Sequence, residues 1–154
     1  MKIYSSITDR LKSQHHVIYE LIKDLDNNLI EKQPAKDKWS IKDNIAHIAY
    51  YHLKFLDRME LILNGKENIF KRYNPDEDPE FIEWRQMNKE ELLSRLESNR
   101  KKVVDFIGKL KDTDFEKTGT HQKFGKMNIV QWIEFFLLHE AHHIYTIFRL
   151  ARSN

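Results

Sequence analysis

The chain has 154 residues, the size of one ordinary domain, so we expect residues 1–154 to form a single domain. Its 26 Lys and Arg are nearly balanced by 24 Asp and Glu, and positive and negative residues are interspersed along the chain. This argues against nucleic-acid binding, because proteins that bind nucleic acid cluster Lys and Arg on one face. The chain contains no cysteine and no stretch of the roughly 20 apolar residues that span a bilayer, so we predict a cytoplasmic protein without disulfides or membrane contact.

Apolar residues recur at helical spacing in the first half of the chain. The first such segment runs from Ile3 to about Leu29 and predicts one long helix. A second helix is predicted at about 40–63, because Ser40 and Asp43 have the spacing of a capping box at its start.

Two further helices are predicted in the second half. Asn88 is a suitable cap for the third helix, and Asn128 for the fourth, which covers about 128–152. Four long helices with few glycines and prolines predict an all-α four-helix bundle. The connection between helices two and three, at about 64–87, is long enough to have a function or to contain a short helix.

The fourth predicted helix contains an H-E-x-x-H pattern at positions 139–143. His139 and His143 lie four residues apart on the apolar face of this helix, so they project from one side and can share a metal ion. The pattern is also that of zinc peptidases, in which Glu140 would act as a base. We favour a helix-surface carboxylate for Glu140, because the chain offers no third ligand after His143.

His47 is the candidate for the third ligand. It lies near the start of the second predicted helix among small and apolar residues. Asp43, one turn earlier, could accept the other ring N–H of His47 or could serve only as a cap. The alternative interpretation is that His47, His139 and His143 are core histidines satisfied by hydrogen bonds.

We predict that the other histidines lie at the surface, with His142 in solvent or at an interface. Those so assigned are His15, His16, His52, His121 and His142. One of His15 and His16 could instead face the bundle interior near the site.

Two segments resemble the DinB/YfiT-like superfamily of small four-helix-bundle proteins. One is Lys38-Trp39-Ser40 followed by His47, and the other is the run 121–132 that leads into the pair on the last helix. In that family one histidine of helix two and an H-x-x-x-H pair of the last helix form a metal triad. The resemblance therefore implies that His47, His139 and His143 bind a divalent metal, with zinc expected first and nickel next.

The resemblance also suggests what the metal does. Characterised relatives include transferases and isomerases that use low-molecular-weight thiols such as bacillithiol or mycothiol. A thiol S-transferase is therefore the first expectation, with the thiol supplied from outside because the chain has no cysteine. The alternatives are a hydrolase that uses metal-bound water and a non-catalytic, stress-related protein. The family further implies a homodimer, to which Phe135 and Tyr145 could contribute.

Overall fold

A computed structural model describes residues 3–66 and 69–153 of the protein. In these residues the helices are α1 (Ser5–Ser13), α2 (Val17–Ile22), α3 (Asn27–Glu31), α4 (Ile41–Leu63), α5 (Pro79–Trp84), α6 (Lys89–Gly108) and α7 (Ile129–Arg152). Three short strands accompany them, namely β1 (Ile69–Phe70), β2 (Thr118–His121) and β3 (Gly125–Asn128). No helix in the described part of the chain has the length and apolarity needed to cross a membrane.

The long helices begin at side-chain caps that the sequence indicates. Ser40 and Asp43 form a reciprocal capping box at the start of α4, and Asn128 forms one with Gln131 at the start of α7. Asn88 caps α6 by accepting a hydrogen bond from a backbone N–H three residues on. Each cap satisfies backbone donors that would otherwise lack a partner in the first turn. The predictions for these three helices are confirmed.

The prediction of one helix from Ile3 to about Leu29 is wrong. Backbone angles at Ser13 leave the helical region, a 3₁₀ turn follows, and α2 ends at Ile22. Asp26 then caps α3 as a separate helix. The apolar stripe continues across these breaks because periodicity reports which side of the chain is buried and does not report whether the backbone is continuous.

Four helical segments form the bundle: α1 with α2, α4, α6 and α7. The central helix is α4, which packs against both α6 and α7. Helix α1 also packs against α6 and α7, and α2 packs against α7. Large apolar side chains fill the interior, and those that are almost fully buried include Tyr50, Phe55, Phe81, Trp132 and Phe136.

A small sheet lies at one end of the bundle, and its strands were predicted only as connections. β1 pairs in parallel with β2, and β2 pairs antiparallel with β3, with Thr118 opposite Asn128. Gly125 begins β3 with a φ of 77°, a conformation that glycine adopts readily. Strands of two to four residues are too short to show a period-two pattern, which explains why the sheet was missed.

The region between α4 and α6 is structured. It contains β1, a 3₁₀ turn and α5, which Asp78 caps through its carboxylate. Residues 67 and 68 of this region lie outside the described part. Tyr73 and Phe81 from this region pack against His47 of α4, so the region contributes to the site described below.

Candidate metal centre

Three histidine side chains from two helices converge on one point. The Nε2 atom of His139 lies 3.1 Å from Nε2 of His47 and 3.3 Å from Nε2 of His143. His47 is on α4 and the other two are one turn apart on α7, so the packing of these helices brings together residues 92 positions apart. The structure thus brings together the three histidines that the sequence suggested as metal ligands.

The spacing of the three nitrogens suits a single ion. Zinc binds histidine nitrogen at about 2.0–2.1 Å in tetrahedral geometry, which places two ligand nitrogens about 3.3 Å apart. The two separations from His139 are close to this value. The residues present therefore fit a divalent metal, with one coordination position left for another ligand.

Burial keeps the three imidazoles neutral. Desolvation, with smaller contributions from neighbouring histidines, lowers the pKa of His139 to about 3 and that of His143 to about 4. The same causes place the pKa of His47 well below its ordinary value of 6.5. A metal ion binds the lone pair of neutral imidazole, so near neutral pH none of the three has to release a proton before binding.

Asn44 determines which nitrogen of His143 carries the proton. Its side-chain Nδ2 donates to the carbonyl of Ser40 at 2.8 Å, which orients the amide. The amide oxygen therefore faces Nδ1 of His143 at 2.9 Å and can only accept a hydrogen bond. Nδ1 of His143 must carry the proton, which leaves the lone pair on Nε2 for a metal.

Asp43 does not accept a hydrogen bond from the ring of His47, one of the two roles considered for it. One carboxylate oxygen accepts from the backbone and hydroxyl of Ser40, and the other accepts from Nε of Arg85 at 2.9 Å. Burial opposes ionisation of Asp43, but the hydrogen bonds from Arg85 and Ser40 outweigh it and lower the carboxyl pKa. Asp43 is therefore a helix cap, and Nδ1 of His47 has no hydrogen-bond partner among the described residues. The sequence suggested Asp43 as the residue that orients a ligand histidine, whereas in the structure its neighbour Asn44 makes such a contact, with His143.

A cavity of about 1240 Å³ opens beside the three histidines. Its walls include aromatic side chains from α4 and from the segments that flank it, among them Trp39, Tyr51 and Tyr73. The ring of Trp39 stacks on His143 with the centroids 5.9 Å apart, and Tyr73 is almost parallel to His47. The site therefore combines a nitrogen donor set with a large, mostly apolar chamber.

Cationic side chains line the same cavity. They are Arg58, Arg72 and Lys123. Arg58 is held in place by donating to the hydroxyl of Tyr51 at 3.0 Å and to the carbonyl of Lys71 at 3.3 Å. This positive charge suits a ligand that carries an anionic group.

Glu140 is neither the surface carboxylate that we favoured nor free to act as a base. Only 2% of the residue is exposed, and its carboxylate forms an ion pair with buried Arg100 of α6. Its other oxygen accepts from the side-chain amide of Gln14 at 2.9 Å. Burial raises the pKa of Glu140, although Arg100 and Gln14 oppose this change. Both oxygens are occupied, one by Arg100 of α6 and the other by Gln14 in the turn after α1, so the peptidase interpretation of the H-E-x-x-H pattern loses its base.

The surface prediction for the remaining histidines is right for some and wrong for others. His16 and His142 are exposed, and His142 lines the cavity. His15, His52 and His121 are buried, with 1%, 0% and 6% of each residue exposed. Other parts of the fold cover these three residues. Residue spacing along one segment cannot predict burial that is caused by a distant segment.

Comparisons with known proteins are consistent with this geometry. The family model described as the DinB superfamily matches residues 10–147. A protein of Oceanobacillus iheyensis, provisionally named a metal-dependent hydrolase, is 26% identical over 129 residues, which cover 84% of this chain and 74% of that protein. A Bacillus cereus protein with the same provisional name is 25% identical over 133 residues, covering 83% and 73% of the two chains.

Solved structures share the fold. YfiT from Bacillus subtilis, described as a four-helix bundle of unusual topology and provisionally as a metal-dependent hydrolase, superposes with a TM-score of 0.81 at 15% identity. The match covers 96% of this chain and 85% of YfiT. A DinB-like protein of Bacillus subtilis, YjoA, gives a TM-score of 0.62 at 18% identity, with 96% and 90% of the two chains covered.

Proposed function

This chain belongs to the DinB superfamily, and on that premise we propose that it is a metal-dependent enzyme that activates the sulfur of a small thiol. His47, His139 and His143 are the proposed ligands of a divalent ion, with zinc first and nickel next. The observation that carries the proposal is the convergence of three neutral Nε2 atoms beside a large cavity. A divalent ion bound by three neutral imidazoles lowers the pKa of a thiol or water that binds beside them.

The protein supplies the surroundings in which this chemistry can occur. Asn44 holds a proton on Nδ1 of His143 and so keeps Nε2 available. The rings of Trp39 and Tyr73 cover the imidazoles and exclude water from one side. The cationic side chains of the cavity can orient a thiol that also carries a carboxylate, as bacillithiol does.

The carboxylates near the cavity favour thiol activation over hydrolysis. Asp76 accepts from the indole N–H of Trp39 and lies 3.7 Å from Arg85, while Glu134 is paired with Arg10. These two carboxylates line the cavity and are thus already engaged by other groups. A water nucleophile commonly needs a nearby base, whereas a thiol, with an ordinary pKa of about 8.5, ionises more easily.

Hydrolysis by metal-bound water is the second candidate function. It is favoured by the provisional names of the relatives and of YfiT. The same three histidines would serve both reactions, so the choice depends on which nucleophile is used. A non-catalytic metal-binding protein would have the site without either activity.

The proposed metal site is tested by measuring the metal content of the protein and of its histidine variants. We expect the untagged protein to bind one divalent ion at the three-histidine centre, and His47→Ala, His139→Ala and His143→Ala each to lose it. His142→Ala is the matched control, because His142 is exposed on the same helix and does not belong to the group of three histidines whose nitrogens lie within ligand distance of one another. Mass spectrometry of the metal content after zinc or nickel loading makes the measurement, and retention of the ion in His47→Ala would remove α4 from the site.

The choice of nucleophile is tested on the loaded protein. Electrophiles are offered with and without a panel of small thiols, including bacillithiol, and esters and amides are offered with water alone. Thiol-dependent loss of electrophile that disappears in His139→Ala supports the transferase. Turnover of esters or amides without a thiol supports the hydrolase, and no turnover in any assay would contradict both enzymes.

A further inference from the structure

A second group of metal-ligating side chains lies outside the three-histidine centre. His15 and His16 occupy the 3₁₀ turn between α1 and α2, and Glu97 faces them from α6. Nε2 of His15 is 3.3 Å from one carboxylate oxygen of Glu97, and Nε2 of His16 is 3.9 Å from the other. One ligand atom from each residue lies within 4.8 Å of the other two. The group shares no residue with the centre described above.

The donor set suits a transition metal. Two imidazoles and one carboxylate are the protein ligands of many zinc sites that keep a fourth position open. Each oxygen of Glu97 faces a different histidine, so the carboxylate already spans the two rings. Adjacent residues in a helix project in different directions, and the 3₁₀ turn brings these two rings together, with centroids 4.2 Å apart.

One member of this group, His15, is buried, whereas His16 and Glu97 are exposed to solvent. The side chains of Glu97 and His16 are 47% and 56% exposed, whereas that of His15 is 2% exposed. An ion can therefore enter from solvent and meet a ring that the protein already holds in place. The hydroxyl of Tyr19 donates to the backbone carbonyl of Leu93, one turn before Glu97 on α6, at 3.4 Å.

His15 is in the form that binds metals. Burial, and secondarily the charge of Arg100, lowers its pKa to about 4. Its Nδ1 has no hydrogen-bond partner among the described residues, so no contact on that side of the ring prevents Nδ1 from taking the proton. Nε2 can then face an ion with a lone pair.

Arg100 is the charge that opposes a cation here. Its guanidinium forms an ion pair with Glu140 in the bundle interior, so a negative charge lies directly beside it. Glu97 adds a negative charge next to the two rings. The local balance therefore permits a divalent ion.

We propose that His15, His16 and Glu97 form a second divalent metal site that links the turn between α1 and α2 to α6. An ion at this position joins two segments of the bundle that are 81 or 82 residues apart along the chain. Because the ligands come together only in the folded protein, binding stabilises the fold.

The test uses zinc alone on the full, untagged chain after removal of metals by a chelator. Zinc per chain is counted by equilibrium dialysis and mass spectrometry in wild type, His16→Ala, Glu97→Gln and His47→Ala. We expect His16→Ala and Glu97→Gln each to lose one zinc equivalent relative to wild type, while His47→Ala retains this second equivalent. Glu91→Gln is the matched control, an exposed α6 carboxylate that pairs with Arg95, and should change nothing.

Two further readouts keep the outcomes distinct. Zinc should shift the imidazole nitrogen resonances of His15 and His16 in wild type and in His47→Ala, and circular dichroism verifies that each variant is folded. Zinc content that is the same in wild type, His16→Ala and Glu97→Gln overturns the second site, whatever His47→Ala does. Loss in His16→Ala without loss in His47→Ala would support the second site and contradict the three-histidine centre.

Discussion

At the scale of single residues, Asn44 has the most consequence for the candidate centre. It is buried on α4, between the N-cap Ser40 and the candidate ligand His143 of α7. Its amide forms two hydrogen bonds, donating to the carbonyl of Ser40 and accepting from the imidazole of His143. A side chain that binds no metal itself therefore sets the tautomer and the orientation of one that does.

Replacing Asn44 should weaken metal binding. In Asn44→Ala, Nδ1 of His143 loses its acceptor, so the ring can rotate and can place its proton on Nε2 instead. We expect zinc affinity to fall about 10- to 100-fold, the usual effect of losing such a partner, as measured by competition with a chromogenic chelator. Asn44→Asp is the comparison variant, because its carboxylate still accepts from Nδ1–H although it no longer donates to the carbonyl of Ser40. Equal zinc affinity in wild type and Asn44→Ala would contradict this role.

At the scale of elements, α7 is held from two sides. His139 and His143 face α4, while Glu140 faces α6 and the turn after α1 through Arg100 and Gln14. Consecutive helical residues point about 100° apart, so positions 139 and 140 can serve both neighbours. The buried ion pair thus fixes the position of the helix that carries two of the three proposed ligands.

Breaking this ion pair should destabilise the protein strongly. Glu140→Ala leaves Arg100 as a buried charge without its partner, and loss of one member of such a pair costs about 3–5 kcal/mol. The free energy of unfolding is measured by urea denaturation of the metal-free protein. Glu134→Ala is the control on the same helix, since the ion pair of Glu134 with Arg10 is partly exposed and should contribute no more than about 1 kcal/mol. A smaller loss for Glu140→Ala than for Glu134→Ala would argue against the buried pair.

The small sheet also depends on one residue without a side chain. A Cβ on Gly119 of β2 would lie 2.7 Å from Cγ1 of Ile62 and 2.8 Å from a ring carbon of Phe70. Both neighbours are buried, so they have little room to move. A side chain at position 119 would therefore force Ile62 or Phe70 to shift before the hairpin of β2 and β3 could pack on the end of α4.

We expect Gly119→Ala to lower the free energy of unfolding by about 1–3 kcal/mol, the usual cost of overpacking a core. Urea denaturation makes the measurement. In Gly108→Ala the added methyl meets nothing within 4 Å, so that variant should be unchanged or slightly more stable. Equal midpoints for Gly119→Ala and wild type would mean that the sheet shifts at little cost.

At the scale of the whole molecule, the bundle leaves an apolar surface on the outer side of α7. Leu138, Tyr145 and Phe148 are 57%, 60% and 44% exposed, and the rings of the last two are nearly parallel. Phe135, which the sequence suggested for the same surface, instead packs against His121 and Phe124 at the cavity. Of the two residues suggested for a dimer surface, Tyr145 is the one on this outer face.

We expect the protein to form a homodimer through this face of α7. Sedimentation velocity should show a dimer for wild type and a monomer for Tyr145→Glu, because a charge at the centre of an apolar contact would be buried without a partner. Tyr4→Glu is the control, since Tyr4 is 69% exposed at the opposite end of the chain. A monomeric wild type at high protein concentration would contradict the expectation.

The sequence by itself determined the features that depend on neighbours within one helix. Caps at Ser40 and Asn128, and the placement of His139 and His143 on one face of α7, follow from spacing over three or four residues. His47 was added through small neighbouring residues and a family resemblance. Tertiary structure alone decided that Asn44 supports the centre, that Glu140 is buried against Arg100, and that His15 meets Glu97. The reason is physical: a helical period says which side of a segment is apolar, but the partner that covers each polar group comes from a distant part of the chain.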